Sequence, residues 1–157
     1  MIEDMLTYEE YLESATEDER KIIDSIYNQN KLSKETIDSI KNIKKNINIL
    51  AFAEPYCKDC AVVLSCLLKM KDINNNINIK ILPRKNNEDI LEKYNNEKRI
   101  PTIINLDDNE KKVFSEFPEI IHERIANNKN IKAVIISEFR SGKYDNFIEK
   151  DLIEILS

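Results

Sequence analysis

The stretch Glu54-Pro55-Tyr56-Cys57-Lys58-Asp59-Cys60 decides how the rest of the chain is read. Before it runs Ile47-Asn48-Ile49-Leu50-Ala51-Phe52-Ala53, whose β-branched and aromatic residues suit a buried strand. After it, Ala61-Val62-Val63-Leu64-Ser65-Cys66-Leu67-Leu68-Lys69-Met70 is long enough, and rich enough in Ala, Leu and Met, to be a helix. Cys57 and Cys60 therefore stand where a strand gives way to a helix. There the unpaired backbone N–H groups and the positive end of the helix dipole favour a thiolate at Cys57. Lys58 reinforces that bias and Asp59 opposes it, so the helix terminus is expected to dominate. Cys60 lies one turn below, within disulfide reach and shielded. A Cys-x-x-Cys beside a βαβ pattern reads as a dithiol/disulfide redox site.

Strands and helices alternate outward from this point. A strand is expected over Ile77–Leu82, a short helix over Asn87–Tyr94, and a strand over Ile100–Leu106 that is entered through Pro101. Asp107-Asp108-Asn109 marks a turn, and Lys111–Phe117 returns as an antiparallel strand. A parallel pair joined by a right-handed crossover and followed by a hairpin makes a small mixed sheet covered by helices, an α/β fold. Pro118–Asn127 reads as a helix with Pro in its first turn. Ala133-Val134-Ile135-Ile136 would suit a helix or a strand; Gly142, the only glycine, favours a helix ending just before it. Phe147, Ile148, Leu152, Ile153 and Leu156 give a last helix.

Residues 1–45 read as a helical extension docked on a domain spanning 46–157. Thr7-Tyr8-Glu9-Glu10 and Thr16-Glu17-Asp18-Glu19 fit capping boxes, and Ser33 suits an N-cap before the stripe Ile37, Ile40, Ile43. Each helix has one apolar face that needs a partner surface.

Composition narrows the function classes. A formal net charge of -5 argues against nucleic acid as a partner. Met1-Ile2-Glu3-Asp4-Met5 lacks the basic start and apolar run of a signal peptide, and no apolar stretch reaches membrane-spanning length, so a cytoplasmic protein without membrane association is expected. Three cysteines, an odd number, fit a reducing compartment. One Cys-x-x-Cys and the distant His122 fall short of the four ligands a structural zinc requires, and His122 reads as a surface residue. Cys66, on the far side of its helix from Cys57, reads as a small core residue.

Strand, Cys-x-x-Cys, βαβ unit and Arg99-Ile100-Pro101-Thr102 before a hairpin together resemble the thioredoxin superfamily. The resemblance covers about 46–117. Glu54-x-Tyr56-Cys57-x-Asp59 and Leu82-x-Arg84-x-Asn86-Asn87-Glu88 are also similar to a bacterial thioredoxin-like group with a helical N-terminal extension. Lys85 stands where that group has Asp. The resemblance implies a thioredoxin-like fold and a cis bond before Pro101 that sets the prolyl turn against the sulfurs. It further implies a disulfide reductase with Cys57 as attacking thiolate and Cys60 as resolver, needing a disulfide substrate and an electron donor but no cofactor beyond its dithiol. Tyr56, Ile100 and Pro101 would border the substrate. Tyr56 and Phe117 suit an apolar rim for peptide substrates, or simple packing. The buried Asp that thioredoxins place six residues before the first cysteine is Ala51 here, so another group must serve Cys60. Glu54 and Asp59 are near in sequence; Lys80 is placed like a thioredoxin lysine that neighbours the active site, but equally suits a strand lysine reaching solvent. Arg84 reads as a loop arginine in an ion pair. The same residues also suit an interaction platform without redox activity, or a redox sensor whose disulfide alters the docking of the N-terminal helices.

Overall fold

Strand β1 (Ile47–Phe52) is apolar and buried at every position but Asn48, because it has a neighbouring strand on each side. The computed structural model describes residues 4–108 and 112–157. It pairs β1 in parallel with β2 (Ile77–Leu82) and antiparallel with β3 (Thr102–Asn105), which carries β4 (Val113–Ser115) on its outer side. The strand order is β2-β1-β3-β4. This is the thioredoxin-like mixed sheet, with helices packed around it. Strands β3 and β4 are both shorter than the sequence suggests. β3 starts after the prolyl turn, and β4 ends where Glu116 adopts a φ of 66° and sends its N–H back to the Pro101 carbonyl at 2.7 Å. The expected turn residue Asn109 and strand start Lys111 lie outside the described residues.

Helix α4 (Lys58–Ile73) is the centre of the helical layers. Every residue from Asp59 to Leu68 is buried, and Met70 with them, so the helix is covered all round rather than along one stripe. The cover comes from both ends of the chain. On the N-terminal side are α2 (Glu17–Gln29) and α3 (Lys34–Lys41); on the C-terminal side are α7 (Lys132–Arg140) and α8 (Asp145–Leu156). Thr7 and Thr16 each form the reciprocal capping box, opening α1 (Tyr8–Glu13) and α2, and the Ser33 hydroxyl caps α3 through the Thr36 N–H. Upstream of α1, Leu6 exchanges two backbone hydrogen bonds with Ile81, at 2.7 and 2.8 Å, and so covers part of the open edge of β2.

The segment that suited helix or strand is helix α7, and local chemistry at its end explains why. The Gly142 N–H bonds to the Phe139 carbonyl at 3.2 Å and the Lys143 N–H to the Glu138 carbonyl at 3.1 Å, the paired bonds of a Schellman cap. That cap needs a left-handed residue, and Gly142 supplies it at φ 92°. Between α4 and β3 lies α5 (Glu88–Glu92), and α6 (Glu119–Asn127) follows Pro118, which is its N-cap rather than a first-turn residue.

A buried carboxyl group on α8 joins the ends of the chain. Glu149, 1 % exposed, accepts the Ser33 N–H at 2.8 Å, tying the α2–α3 junction to α8. One turn earlier, Asp145 is pushed up to about 6, by burial first and by the Glu149 charge second. No described helix is long and apolar enough to cross a membrane.

Two stability predictions follow from the C-terminal helices. At Gly142 an added Cβ would sit 3.2 Å from Asp145 Oδ2 on a left-handed backbone; Gly142→Ala should therefore lower the unfolding free energy by about 1–2 kcal/mol in denaturant titrations. Asp145 titrates higher folded than unfolded, so its contribution is full below the unfolded value of about 4 and is lost as pH rises through about 6. Asp145→Asn should raise the melting temperature at about pH 7, and that advantage should vanish near pH 4. A pH-independent difference would contradict the assignment.

Candidate functional site

Three chain segments leave the sheet at one end. Phe52, the last residue of β1, is flanked by Leu82 of β2 on one side and Thr102 of β3 on the other. The loop to Cys57, the loop opening at Pro83 and the Ile100–Pro101 turn therefore gather around the carboxyl end of β1. The Ile100–Pro101 peptide is cis, both residues are buried, and the Pro101 carbonyl is held by the Glu116 N–H.

Cys57 is the N-cap of α4, and the helix proper begins at Lys58. Its own N–H donates to the Glu54 carbonyl at 3.0 Å, which closes the loop. Its sulfur accepts the Cys60 N–H at 3.1 Å, in the place where a Ser or Asp oxygen normally caps a helix. Cys57 is half-buried, whereas Cys60 is fully enclosed.

That contrast divides the two thiols chemically. The Cys60 S–H, bonded to the Cys57 sulfur, is the largest influence and draws Cys57 below the ordinary thiol range. Burial opposes it, and the backbone N–H groups of Cys60 and Asp59 assist. The backbone N–H of Cys60 at the helix terminus outranks the Asp59 charge, as expected, while the Cys60 thiol, which the sequence reading did not weigh, outranks both. Lys58 is exposed, while the Asp59 charge works against the thiolate as expected. Cys60 is pushed well up, by burial first, then by donating to Cys57 and by the Cys57 charge. The pair therefore sets a sulfur biased toward the thiolate outside and a thiol held in its protonated form inside.

Around the dithiol, Glu54 is nearly buried, and its Oε2 accepts the Lys85 N–H at 3.0 Å, pinning the loop after β2. Tyr56 is 59 % exposed, and its hydroxyl oxygen accepts a hydrogen bond from Arg84 Nη2 at 3.0 Å. Arg84 Nη1 donates to the Lys98 carbonyl at 3.3 Å, so this arginine holds a phenol and a backbone carbonyl rather than the carboxylate expected of it. Asp59, 8 % exposed, is gripped by Arg140 from the end of α7, with Nε to Oδ1 at 2.7 Å and Nη2 to Oδ2 at 3.2 Å.

Lys80 is not gathered with these groups. It is exposed on β2, lines a groove with Tyr8, Tyr27 and Leu68, and places its charge near Glu10. Phe117 is not a rim residue either; it is buried edge-on against Phe139, with ring centroids 5.1 Å apart. His122 is half-buried, donating from Nε2 to the Ser115 carbonyl at 2.6 Å with its ring beside Phe117. Cys66 is in the core, its thiol pushed well up by burial. Among the described residues no cluster of three His, Cys, Asp or Glu side chains could hold a metal ion.

Two residues escaped sequence reasoning. Arg140 carries only the ordinary signal of a basic residue in a last helical turn, which says nothing of Asp59. Tyr11 of α1 is buried beside the dithiol; its phenol is pushed up by burial first and then by the charges of Cys60 and Cys57. It left no mark beyond one aromatic in a capped helix.

No curated protein matches the sequence. Among solved structures, the chain is similar to a protein of unknown function, PA1234, from Pseudomonas aeruginosa, at 18 % identity and a TM-score of 0.78, over 98 % of this chain and 92 % of that one. An HIV epitope-scaffold of the 4E10 type is similar to the same degree, at 18 % identity and a TM-score of 0.78, over 98 % of this chain and 93 % of that one. At such identity the likeness is one of fold. A family model described as thioredoxin matches residues 5–133, a span that takes in the N-terminal helices, the Cys57–Cys60 turn, the prolyl turn and the hairpin. With the sheet order, the half-buried sulfur at the mouth of α4 and that match in agreement, the chain belongs to the thioredoxin family.

Proposed function

We propose that the protein is a thiol–disulfide oxidoreductase that reduces protein or small-molecule disulfides through Cys57 and Cys60. The observation that carries this reading is the division of the pair: a half-buried Cys57 sulfur drawn toward the thiolate, and an enclosed Cys60 thiol bonded to it. A nucleophile and its resolving partner need those opposite states at the outset.

The reaction balances with the dithiol alone. The Cys57 thiolate attacks one sulfur of the substrate disulfide; that S–S bond breaks, and the second substrate sulfur leaves as a thiolate that takes a proton from solvent. Once the Cys57 sulfur is bonded in the mixed disulfide, it no longer carries the charge that holds the Cys60 proton in place. Cys60 then passes its proton to water and attacks the Cys57 sulfur; the mixed disulfide breaks, and the first substrate sulfur leaves as a thiolate that takes up a proton from solvent. Two electrons have passed to the substrate, and a Cys57–Cys60 disulfide remains for a dithiol donor to reduce. Glu54 supports the step through its backbone, whose hydrogen bond draws Cys60 down against the other influences. The Asp59 carboxylate is committed to Arg140 through both of its oxygens. The exposed Tyr56 ring and the Ile100–Pro101 turn would seat the polypeptide on either side of the substrate disulfide. A cytoplasmic, reducing setting suits three free thiols.

A trapping experiment tests the reading. Cys60→Ser should accumulate mixed disulfides through Cys57, and Cys57→Ser should show none and lose disulfide-reducing activity by on the order of 100-fold or more. If the wild-type chain forms no Cys57–Cys60 disulfide with oxidised glutathione, and Cys60→Ser traps nothing above the Cys57→Ser control, the protein is an interaction platform instead.

A further inference from the structure

Two negative groups compete for one helix terminus. The first turn of α4 is the favourable place for an anion, and it carries both the Cys57 sulfur and the Asp59 carboxylate. Each is stabilised there, but the Asp59 charge raises the cost of a thiolate at Cys57. Asp59 is also desolvated, and a buried carboxylate needs a partner. The partner comes from 81 residues further along, outside the βαβ core.

The contact has the two-point geometry that only a guanidinium gives, through Nε at 2.7 Å and Nη2 at 3.2 Å. The carboxylate side of the pair is 12 % exposed and the arginine side 43 %, so the acid is enclosed while the outer edge of the fork meets solvent. Arg140 is the last residue of α7, two positions before the Gly142 cap, which fixes where that helix stops and the fork points. Other charges approach from every side. Lys58 is exposed on the same turn, and Glu54 closes the loop from β1. Arg84, after β2, is held by Tyr56 and feels the Cys57 charge, and Tyr11 feels it from α1. Glu116, after β4, is pushed up by burial first, with Arg99, His122 and Lys132 opposing and Asp59 adding to the rise. Among the described side chains, Arg140 is the one that bonds to the Asp59 carboxylate.

We propose that Arg140 is a positioning residue for the dithiol: by clamping Asp59 with both arms of its guanidinium, it offsets part of that carboxylate's field at the Cys57 sulfur and fixes the first turn of α4. The reactivity of the thiol at the front of the domain is thereby set from its C-terminal helices. The field of Cys57 at Arg140 supports this, since the guanidinium is raised first by its bond to Asp59 and then by the charges of Asp59 and Cys57. This assignment rests on the reading of Cys57 as the nucleophile, but its test does not need a substrate.

The test is the pH profile of Cys57 alkylation by iodoacetamide in the reduced full chain, with the modified residue assigned by mass spectrometry. Cys60 and Cys66 are buried and serve as internal references. Arg140→Gln leaves Asp59 unmasked and should move the midpoint upward, slowing alkylation below the midpoint by about 3–10-fold, a modest effect because the guanidinium is partly solvated. Asp59→Asn should move it downward. The Asp59→Asn/Arg140→Gln double variant should return to within about twofold of wild type, because both charges are then gone. Arg140→Lys, which keeps the charge but loses the fork, should fall between wild type and Arg140→Gln.

A profile for Arg140→Gln that superimposes on wild type, or a double variant displaced as far as Arg140→Gln, would overturn the proposal. A purely structural role would lower the melting temperature and leave the midpoint in place. Should Arg140→Gln not fold, Asp59→Asn and Arg140→Lys decide the matter: an unmoved midpoint in both rejects it. Failure of the Cys60→Ser trap with these shifts intact would reject the oxidoreductase reading alone, and the reverse pattern would reject the role of Arg140 alone.

Discussion

The depth at which α4 is buried governs the rest of the structure. A helix covered on all sides can offer chemistry only at an end that reaches the surface, and here that end is the Cys57 turn. Burial also decides how the helix must be capped. Its first N–H groups cannot all turn to water, so the Cys57 sulfur takes one of them, and the cap and the reactive atom become the same group. The N-terminal and C-terminal helices are therefore more than additions to a βαβ core. They are the walls that bury α4, and they bring Tyr11 from one side and Arg140 from the other to the dithiol.

What could be read in the sequence was what is written locally. Strand β1, the cysteine spacing, the hairpin after Pro101 and both capping boxes each depend on residues within a few positions of one another, and each is present. Gly142 made α7 legible by the same logic, since the Schellman cap is a contact between neighbours. The pairings that set the chemistry of the site are of another kind. Asp59 with Arg140 spans 81 positions and Ser33 with Glu149 spans 116, and neither leaves a periodic trace. A charged residue in sequence announces that it needs a partner without naming it. Arg84 shows the limit most plainly: its cation suggested a carboxylate, and it found the Tyr56 hydroxyl and the Lys98 carbonyl. Lys80 was left between two roles for a related reason, because strand alternation tells which side of a strand a residue takes but not what the flanking helices leave exposed there; it is the strand lysine that reaches solvent.

Helix α4 and its N-cap carry three cysteines, and their differences isolate the effect of surroundings from that of residue type. Cys66 sits in mid-helix, where burial and the carboxyl groups of Glu149 and Asp145 all press toward the neutral thiol. Enclosed in that way, its sulfur behaves as a small apolar group. Cys60, two turns earlier, is as deeply enclosed, yet its S–H has an acceptor in the Cys57 sulfur. That bond costs Cys60 acidity and gives it to Cys57: the same contact lowers one thiol and raises the other. Cys57 alone stands at a helix end with backbone donors in reach, and it alone is drawn toward the anion. Moving a cysteine by nine residues along one helix thus spans the range from inert core atom to nucleophile. The chain sets its reactive sulfur by where α4 begins, and every wall packed against α4 helps to hold that beginning in place.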